Sequence, residues 1–172
     1  MRLVVDIDGT LTDVVSAIIY REHIPFVKSD VTKWDYKWRG IPIGDYINAA
    51  FKDRFFTMGL PLMPDAIVSL QALAFRGWEI VVASARPTYA EADTREWLVR
   101  SNVPFHKMEC GAADKASWPA DALIDDNFDT VIKFASLGGV GILMDQPWNL
   151  GFLPAGSVRV GHWAEVPALL LR

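Results

Sequence analysis

The sequence predicts an open, doubly wound parallel α/β sheet, and three observations lead to this fold class. Apolar segments of strand length alternate with amphipathic segments of about ten residues, which is typical of a parallel sheet with helices on both faces. The chain has 172 residues, the size of one ordinary domain with room for a small insertion. Apolar residues make up 51% of the chain, so a real core can be buried.

The first strand is predicted at residues 3–7, an apolar run that ends in acid and is followed by Gly9. The apolar spacing from Thr12 onward indicates a helix, with Thr12 or Asp13 available as its N-cap. Further helices are predicted at residues 64–75, 90–100, 128–137 and 165–171. Further strands are predicted at residues 78–83, 104–108, 122–124, 140–144 and 158–160.

Residues 24–64 interrupt this alternation of strands and helices. The segment contains four prolines and an aromatic cluster at residues 34–38, and it shows no regular strand–helix repeat. One helix is predicted in it, around residues 45–56. The segment is therefore expected to differ in structure from the rest of the chain.

Charge and cysteine content exclude several classes of protein. A net charge of -4 and a pI near 5.3 argue against a nucleic-acid coat protein or a membrane-surface binder. The single cysteine, Cys110, cannot form an intrachain disulfide, which favours a reducing compartment. The first residues show no signal-peptide pattern, so we expect a soluble cytoplasmic protein with no membrane segment.

Two carboxylates, Asp6 and Asp8, lie two residues apart where the first strand ends. A carboxylate can attack phosphorus to give an acyl phosphate, and a second acid can protonate the leaving oxygen. Gly9 allows a sharp turn, and Thr10 offers a hydroxyl and an amide to a phosphate group. An ordinary turn or a calcium loop is the alternative, but the further oxygen ligands of a calcium loop do not follow.

A second acidic pair, Asp125 and Asp126, follows the strand predicted at residues 122–124. Paired carboxylates are costly to crowd together unless a cation lies between them, and Mg²⁺ prefers oxygen ligands. Asp6 and Asp125 could complete such a site together with the backbone carbonyl of Asp8. Alternatively, Asp126 or Asn127 serves as the N-cap of the helix that follows.

Four further residues are candidates for binding a phosphate group. Ser84 directly follows the strand predicted at residues 78–83 and could donate to the phosphoryl oxygens, together with the amide of Ala85. Lys115 could neutralise charge on the nucleophile and on the phosphate. Arg86 either assists phosphate binding or is a solvated loop residue.

The order and spacing of these motifs resemble the haloacid dehalogenase superfamily, and they span residues 6–126. Within the superfamily, the chain is similar to the 5'(3')-deoxyribonucleotidases in residues 55–73, 114–126 and 162–165. The resemblance implies a Rossmann-like doubly wound core with a small helical cap inserted after the first strand. It places the cap at residues 15–62 and the core at residues 1–14 and 63–172.

The resemblance also implies roles for these residues. Asp6 would be the nucleophile, Asp8 the general acid/base, and Ser84 and Lys115 phosphate ligands. The Mg²⁺ ligands would be Asp6, Asp8 and Asp125, with Asp126 behind them. The substrate would be a small phosphate ester, preferably a nucleoside monophosphate, and a homodimer is compatible with the family.

Aromatic residues of the segment expected to form the cap (residues 15–62, called the inserted segment below) are candidates for a wall on which a base stacks, since every base has a π-face. The main candidates are Trp34, Trp38 and Phe55, and the wider set adds Tyr36, Phe51 and Phe56. The alternative is a small core within the cap, which the helical spacing of Phe51, Phe55 and Phe56 favours.

Three other functions remain open from the sequence. A nucleic-acid 3'-phosphatase shares the four motifs, but the acidic composition and the cap argue against binding of a long nucleic acid. A phosphatase of this superfamily acting on another small metabolite is equally compatible with the acids. A catalytically silent binding module would have no reason to retain mutually repelling carboxylates.

Overall fold

A computed structural model describes residues 1–171 of the protein. In chain order its strands are β1 (Arg2–Val5), β2 (Lys37–Trp38), β3 (Ile41–Pro42), β4 (Glu79–Ser84), β5 (Lys107–Cys110), β6 (Ala122–Asp125), β7 (Val140–Met144) and β8 (Ser157–Val160). Its α-helices are α1 (Val14–Arg21), α2 (Ile43–Ala50), α3 (Arg54–Met58), α4 (Ala66–Phe75), α5 (Glu91–Arg100), α6 (Phe128–Ser136) and α7 (Val166–Leu170). None of the helices in this range is long and apolar enough to cross a membrane.

Six strands form one parallel sheet in the order β5-β4-β1-β6-β7-β8. The chain begins in the middle of the sheet, builds one half outward through β4 and β5, and then returns to build the other half. The order therefore reverses beside β1, and ligands of such sheets bind near this kind of switch point. The prediction of a doubly wound parallel α/β sheet is confirmed.

The two faces of the sheet are both covered, as the nearly continuous apolar strands require. Leu3 and Val5 of β1 belong to one buried apolar cluster, whereas Val4 between them belongs to a second. Side chains alternate between faces along a strand, so the two clusters lie on opposite sides of the sheet. Leu3, Val4 and Val5 are all fully buried, which fixes the positions of the residues that follow them.

The inserted segment differs in detail from its prediction. The single helix predicted at residues 45–56 is two helices, because Asp53 caps α3 and accepts a hydrogen bond from the amide of Phe55 at 2.9 Å. A short β2–β3 hairpin was not predicted; its turn places Arg39 and Gly40 at positive φ.

In the main sheet, the strand predicted at residues 104–108 begins three residues later, at Lys107.

Several contacts attach this segment to the sheet and its helices. The Thr12 hydroxyl donates to the Pro61 carbonyl at 2.6 Å, close to where the segment returns to the sheet. Arg54 of α3 forms ion pairs with Asp93 at 2.6 Å and Glu96 at 2.7 Å, both on α5. These contacts hold part of the segment over the carboxyl ends of the strands.

Candidate active site

A cavity of about 340 Å³ lies at the carboxyl ends of β1, β4 and β6. Side chains from three strand ends enter it, as the topology requires. From the sheet side it is lined, among others, by Asp6, Asp8, Ser84, Ala85, Arg86, Lys115, Asp125 and Asp126. From the inserted segment it is lined by Trp34, Gly44, Ile47, Asn48 and Phe51.

Three buried carboxylates, those of Asp6, Asp125 and Asp126, form a cluster at the base of the cavity. One oxygen from each lies within 4.8 Å of the others. Lys115 is also buried; its Nζ lies 2.9 Å from Asp125 Oδ2 and donates a hydrogen bond to Asp6 Oδ1. Two of the three acids, Asp6 and Asp125, therefore contact one ammonium group.

Burial and mutual repulsion shift the protonation of this cluster. Burial, opposed by Lys115 but reinforced by the charges of Asp125 and Asp8, raises the pKa of Asp6 from the ordinary 3.8 to about 7. Burial, together with the charges of Asp6 and Asp125, also raises the pKa of Asp126 well above its ordinary value. For Lys115, burial favours the neutral amine, but the two neighbouring carboxylates outweigh it and raise the pKa.

The cluster fits a divalent cation. With all groups ionised, three carboxylates against one ammonium leave two negative charges uncompensated in a buried place. The donors are all carboxylate oxygens, the ligand type that Mg²⁺ prefers. Two of the carboxylates are also oriented from behind: Asp125 accepts from the Asn127 amide at 2.9 Å, and Asp126 accepts from the Trp148 indole at 2.6 Å.

The carboxylate of Asp8 is not part of this cluster. It turns toward the loop after β4, where Arg86 donates to its two oxygens at 2.9 and 2.7 Å. The paired donors of Arg86 hold the Asp8 side chain away from the three acids. The expected metal ligand at this position is the backbone carbonyl of Asp8, so the set of Asp6, Asp8 and Asp125 stays a prediction. Asp126, expected behind these ligands, lies beside Asp6 and Asp125 in the side-chain cluster.

Four of the six expected phosphate ligands lie at the cavity. Ser84, Ala85, Arg86 and Lys115 line the cavity, and the Ser84 hydroxyl accepts from the Arg86 amide at 3.1 Å.

Gly9 and Thr10 are not among the residues that line the cavity. Their carbonyls accept hydrogen bonds from Gln146 at 2.6 Å and Trp163 at 2.8 Å, which anchor the turn after β1 to the C-terminal half of the chain.

Only Trp34, of the three aromatic residues expected to bind a base, lies at this cavity. Trp38 instead packs against Tyr46, with ring centroids 5.4 Å apart. Phe55 lies on the outer side of α3 with 86% of its surface exposed, because the capped start of that short helix turns its second residue outward.

Two more aromatic residues line the cavity, of which Trp148 was not among the sequence-based candidates and Phe51 was. Trp148, in the loop after β7, lies with its ring centroid 5.6 Å from that of Trp34. The rule that ligands bind beyond strand ends could have indicated Trp148, since it follows a strand of the same sheet. Phe51, which the helical spacing favoured as a core residue, lines the cavity as well.

The fold, with acids at the ends of its strands, is similar to that of hydrolases of the haloacid dehalogenase type whose structures are solved. The L-2-haloacid dehalogenase of Xanthobacter autotrophicus has a similar fold, with a TM-score of 0.66 over 99% of this chain and 98% of that one at 14% identity. The D,D-heptose 1,7-bisphosphate phosphatase of Burkholderia thailandensis superposes with a TM-score of 0.61 over 99% and 97% at 13% identity.

The family described as "5' nucleotidase, deoxy (Pyrimidine), cytosolic type C protein" matches residues 1–172, and the chain belongs to it. A curated relative, "Putative nucleotidase BH1399" of Halalkalibacterium halodurans, is 28% identical over 97% of this chain and 91% of its own length. The predicted resemblance to a phosphatase of the deoxyribonucleotidase type is confirmed.

Proposed function

We propose that the protein is a Mg²⁺-dependent phosphomonoesterase that hydrolyses nucleoside monophosphates, deoxynucleotides in particular, through an aspartyl phosphate on Asp6. The observation that supports this most directly is the placement of Asp6. Its carboxylate lies at the cavity floor against Lys115, with Asp125 and Asp126 beside it and Asp8 two residues away. Membership of the nucleotidase family and the relative's name support the choice of substrate.

In the first step, an oxygen of the Asp6 carboxylate attacks phosphorus and forms an acyl phosphate. The bond between phosphorus and the nucleoside oxygen breaks, and that oxygen takes a proton from the Asp8 carboxyl group. Lys115 and the Ser84 hydroxyl, with the amide of Ala85, bind oxygens of the phosphoryl group. The products of this step are the free nucleoside and phosphorylated Asp6.

In the second step, water attacks phosphorus and gives a proton to the Asp8 carboxylate. The bond between phosphorus and the Asp6 oxygen breaks, which releases inorganic phosphate and restores the Asp6 carboxylate. Asp8 then carries the proton needed for the next substrate, so the two steps close a cycle.

Asp6, Asp125 and Asp126 would hold the Mg²⁺ ion, with the backbone carbonyl of Asp8 as a further oxygen ligand. A divalent cation supplies compensation for the charge of the carboxylates and of the phosphate. Lys115 complements it, because its ammonium group contacts Asp6 and Asp125 directly.

Residues 15–62 form the cap in this proposal and select the substrate. Trp34 and Phe51 reach the cavity from this segment, so a base bound there would meet aromatic faces. Cap residues over the cavity, with the net charge of -4, favour a small substrate over a long nucleic acid. We place the enzyme in the cytoplasm, and the family resemblance is compatible with a homodimer.

A phosphate-release assay tests the function. The substrates are 5'- and 3'-nucleoside monophosphates, ribo and deoxy, together with sugar phosphates and a 3'-phosphorylated oligonucleotide. Each is measured with Mg²⁺, with EDTA and with Asp6→Asn as the control. Release concentrated on deoxynucleotides and abolished by EDTA is the expected result. Release only from sugar phosphates or oligonucleotide ends would overturn the choice of substrate, and no release from any would overturn the proposed activity.

A further inference from the structure

Arg86 is a buried cation that the acidic cluster does not use. Its side chain is 0% exposed, although it lies beside a solvent-accessible cavity. Nε and Nη2 donate to the two oxygens of Asp8 at 2.9 and 2.7 Å, and Nη1 donates to the Thr94 hydroxyl at 3.1 Å. Each of its three nitrogens therefore has a protein acceptor.

Two aromatic rings contact the guanidinium group of Arg86. Its Cζ lies 4.3 Å from the ring centroid of Phe51, in the inserted segment, and 5.5 Å from that of Trp97, on α5. Trp97 is itself fixed, because its indole donates to the Leu60 carbonyl at 2.9 Å. Residues from three parts of the chain thus define the position of the guanidinium before any substrate arrives.

We propose that Arg86 is a positioning residue that orients the Asp8 carboxyl group for proton transfer, and that it is not a ligand of the substrate phosphate. The inference rests on the proposed function, because it assigns Arg86 to the proton-transfer step of that reaction. A guanidinium that meets a carboxylate through two parallel hydrogen bonds fixes both the plane and the direction of the carboxylate. A lysine at the same place would supply the charge without the paired donors.

The need for a proton from Asp8 depends on the leaving group. Protonation by Asp8 is needed when the leaving oxygen is a poor one, such as the alkoxide of a nucleoside. It is hardly needed when the leaving group is p-nitrophenolate. Loss of the two hydrogen bonds from Arg86 to Asp8 should therefore slow the first step with a nucleoside monophosphate. The first step with p-nitrophenyl phosphate should be nearly unchanged.

The test compares kcat/KM for deoxynucleoside 5'-monophosphates and for p-nitrophenyl phosphate in the wild type and in Arg86→Lys. Because general acid catalysis contributes about 10²–10⁴-fold, we expect a loss of about 10²-fold with the nucleotide and less than about 5-fold with p-nitrophenyl phosphate. The ratio of the two values does not depend on the folded fraction of a variant. Arg95→Lys, an exposed arginine on α5, is the matched control and should leave the ratio unchanged.

A double mutant separates positioning from phosphate binding. In an Asp8→Asn background, Arg86→Lys should cause no further loss with the nucleotide, since the group that it orients is already missing. A phosphate ligand would behave differently. Equal losses on both substrates, a raised inhibition constant for inorganic phosphate and additivity with Asp8→Asn would overturn the proposal. If the wild type hydrolysed neither substrate, the proposed function would fail and this inference with it; an active wild type with an unchanged ratio would overturn the inference alone.

Discussion

The indole N–H of Trp148 donates to Oδ2 of Asp126 across 2.6 Å and so connects the loop after β7 with the acidic cluster. The hydrogen bond lies in a partly buried place, where a carboxylate oxygen without a donor is costly. Trp148 also contacts Trp34 of the inserted segment, which makes it a link between the buried acids and the wall of the cavity.

Replacing Trp148 by phenylalanine should lower stability, because it keeps an aromatic ring but removes the donor to Asp126. We expect the free energy of unfolding to fall by about 1–3 kcal/mol and Mg²⁺ to bind more weakly. Urea denaturation and a Mg²⁺ titration followed by tryptophan fluorescence check both effects. Unchanged stability and Mg²⁺ affinity would show that the hydrogen bond is not important.

Asp6→Asn should abolish turnover and at the same time stabilise the metal-free protein at neutral pH. Loss of a nucleophile typically costs about 10³-fold or more in kcat. The stabilisation follows because one of three crowded, buried carboxylates loses its charge, while Lys115 keeps Asp125 as a partner. Thermal unfolding in EDTA measures it, with the exposed Asp35→Asn as control. A variant less stable than the wild type would contradict the predicted repulsion.

The stability of the metal-free protein should fall as pH rises through the range set by Asp6. The pKa of Asp6 is raised from 3.8 to about 7, so between these values the folded protein holds a proton that the unfolded chain has released. Folding is therefore favoured at the acidic end of this range and loses that advantage as pH approaches about 7. The raised pKa of Asp126 acts in the same direction.

Mg²⁺ should reverse this loss, since a divalent cation binds the ionised acids. The increase in melting temperature on adding Mg²⁺ should be small at about pH 5 and larger at about pH 8. Calorimetry with EDTA and with Mg²⁺ at both pH values checks this. An equal increase at both would argue against the carboxylate cluster as the metal site.

Trp34 and Phe55 should differ sharply in their effect on nucleotide binding. Trp34 lines the cavity, and stacking of a base on an aromatic ring contributes about 1–3 kcal/mol, so Trp34→Ala should raise KM for a nucleoside monophosphate about 10-fold. Phe55→Ala removes an exposed ring outside the cavity and should leave KM unchanged. Steady-state kinetics on both variants decides the matter, and a larger effect for Phe55 would refute the placement of the base.

Gly9→Ala should damage the site, because Gly9 has φ +83° and an added Cβ would lie 2.4 Å from Asp126 Oδ2. Gly40 is the matched control: it has φ +78°, but its Cβ would meet nothing within 4 Å. Backbone strain should lower the free energy of unfolding of both variants by about 1 kcal/mol. Only Gly9→Ala should also lose Mg²⁺ affinity and activity. Equal losses of Mg²⁺ affinity and activity in both variants would mean that backbone strain alone causes the effect.

The sequence was sufficient to bring Asp6, Ser84 and Asp125 to one edge of the sheet, because the carboxyl ends of parallel strands share that edge. It was not sufficient to orient side chains within loops. The Arg86–Asp8 pair and the Trp148–Asp126 hydrogen bond join residues 78 and 22 positions apart, and no local periodicity encodes them.

The inserted segment was the hardest part to predict for a related reason. Its helices are short, and the N-cap residue Asp53 begins α3 separately from α2, so one helical spacing does not run through both. Helical spacing alone could not separate Phe51, which lines the cavity, from the exposed Phe55.

The formation of an aspartyl phosphate on Asp6 is the central claim, and trapping it is the most direct test. The protein is quenched in acid during turnover of a deoxynucleoside monophosphate with Mg²⁺, and its peptides are examined by mass spectrometry. We predict one phosphoryl group on the peptide that contains Asp6, removable by hydroxylamine and missing from Asp6→Asn. Phosphate release by Asp6→Asn at the wild-type rate, or a phosphoryl group on a different peptide, would contradict the assignment.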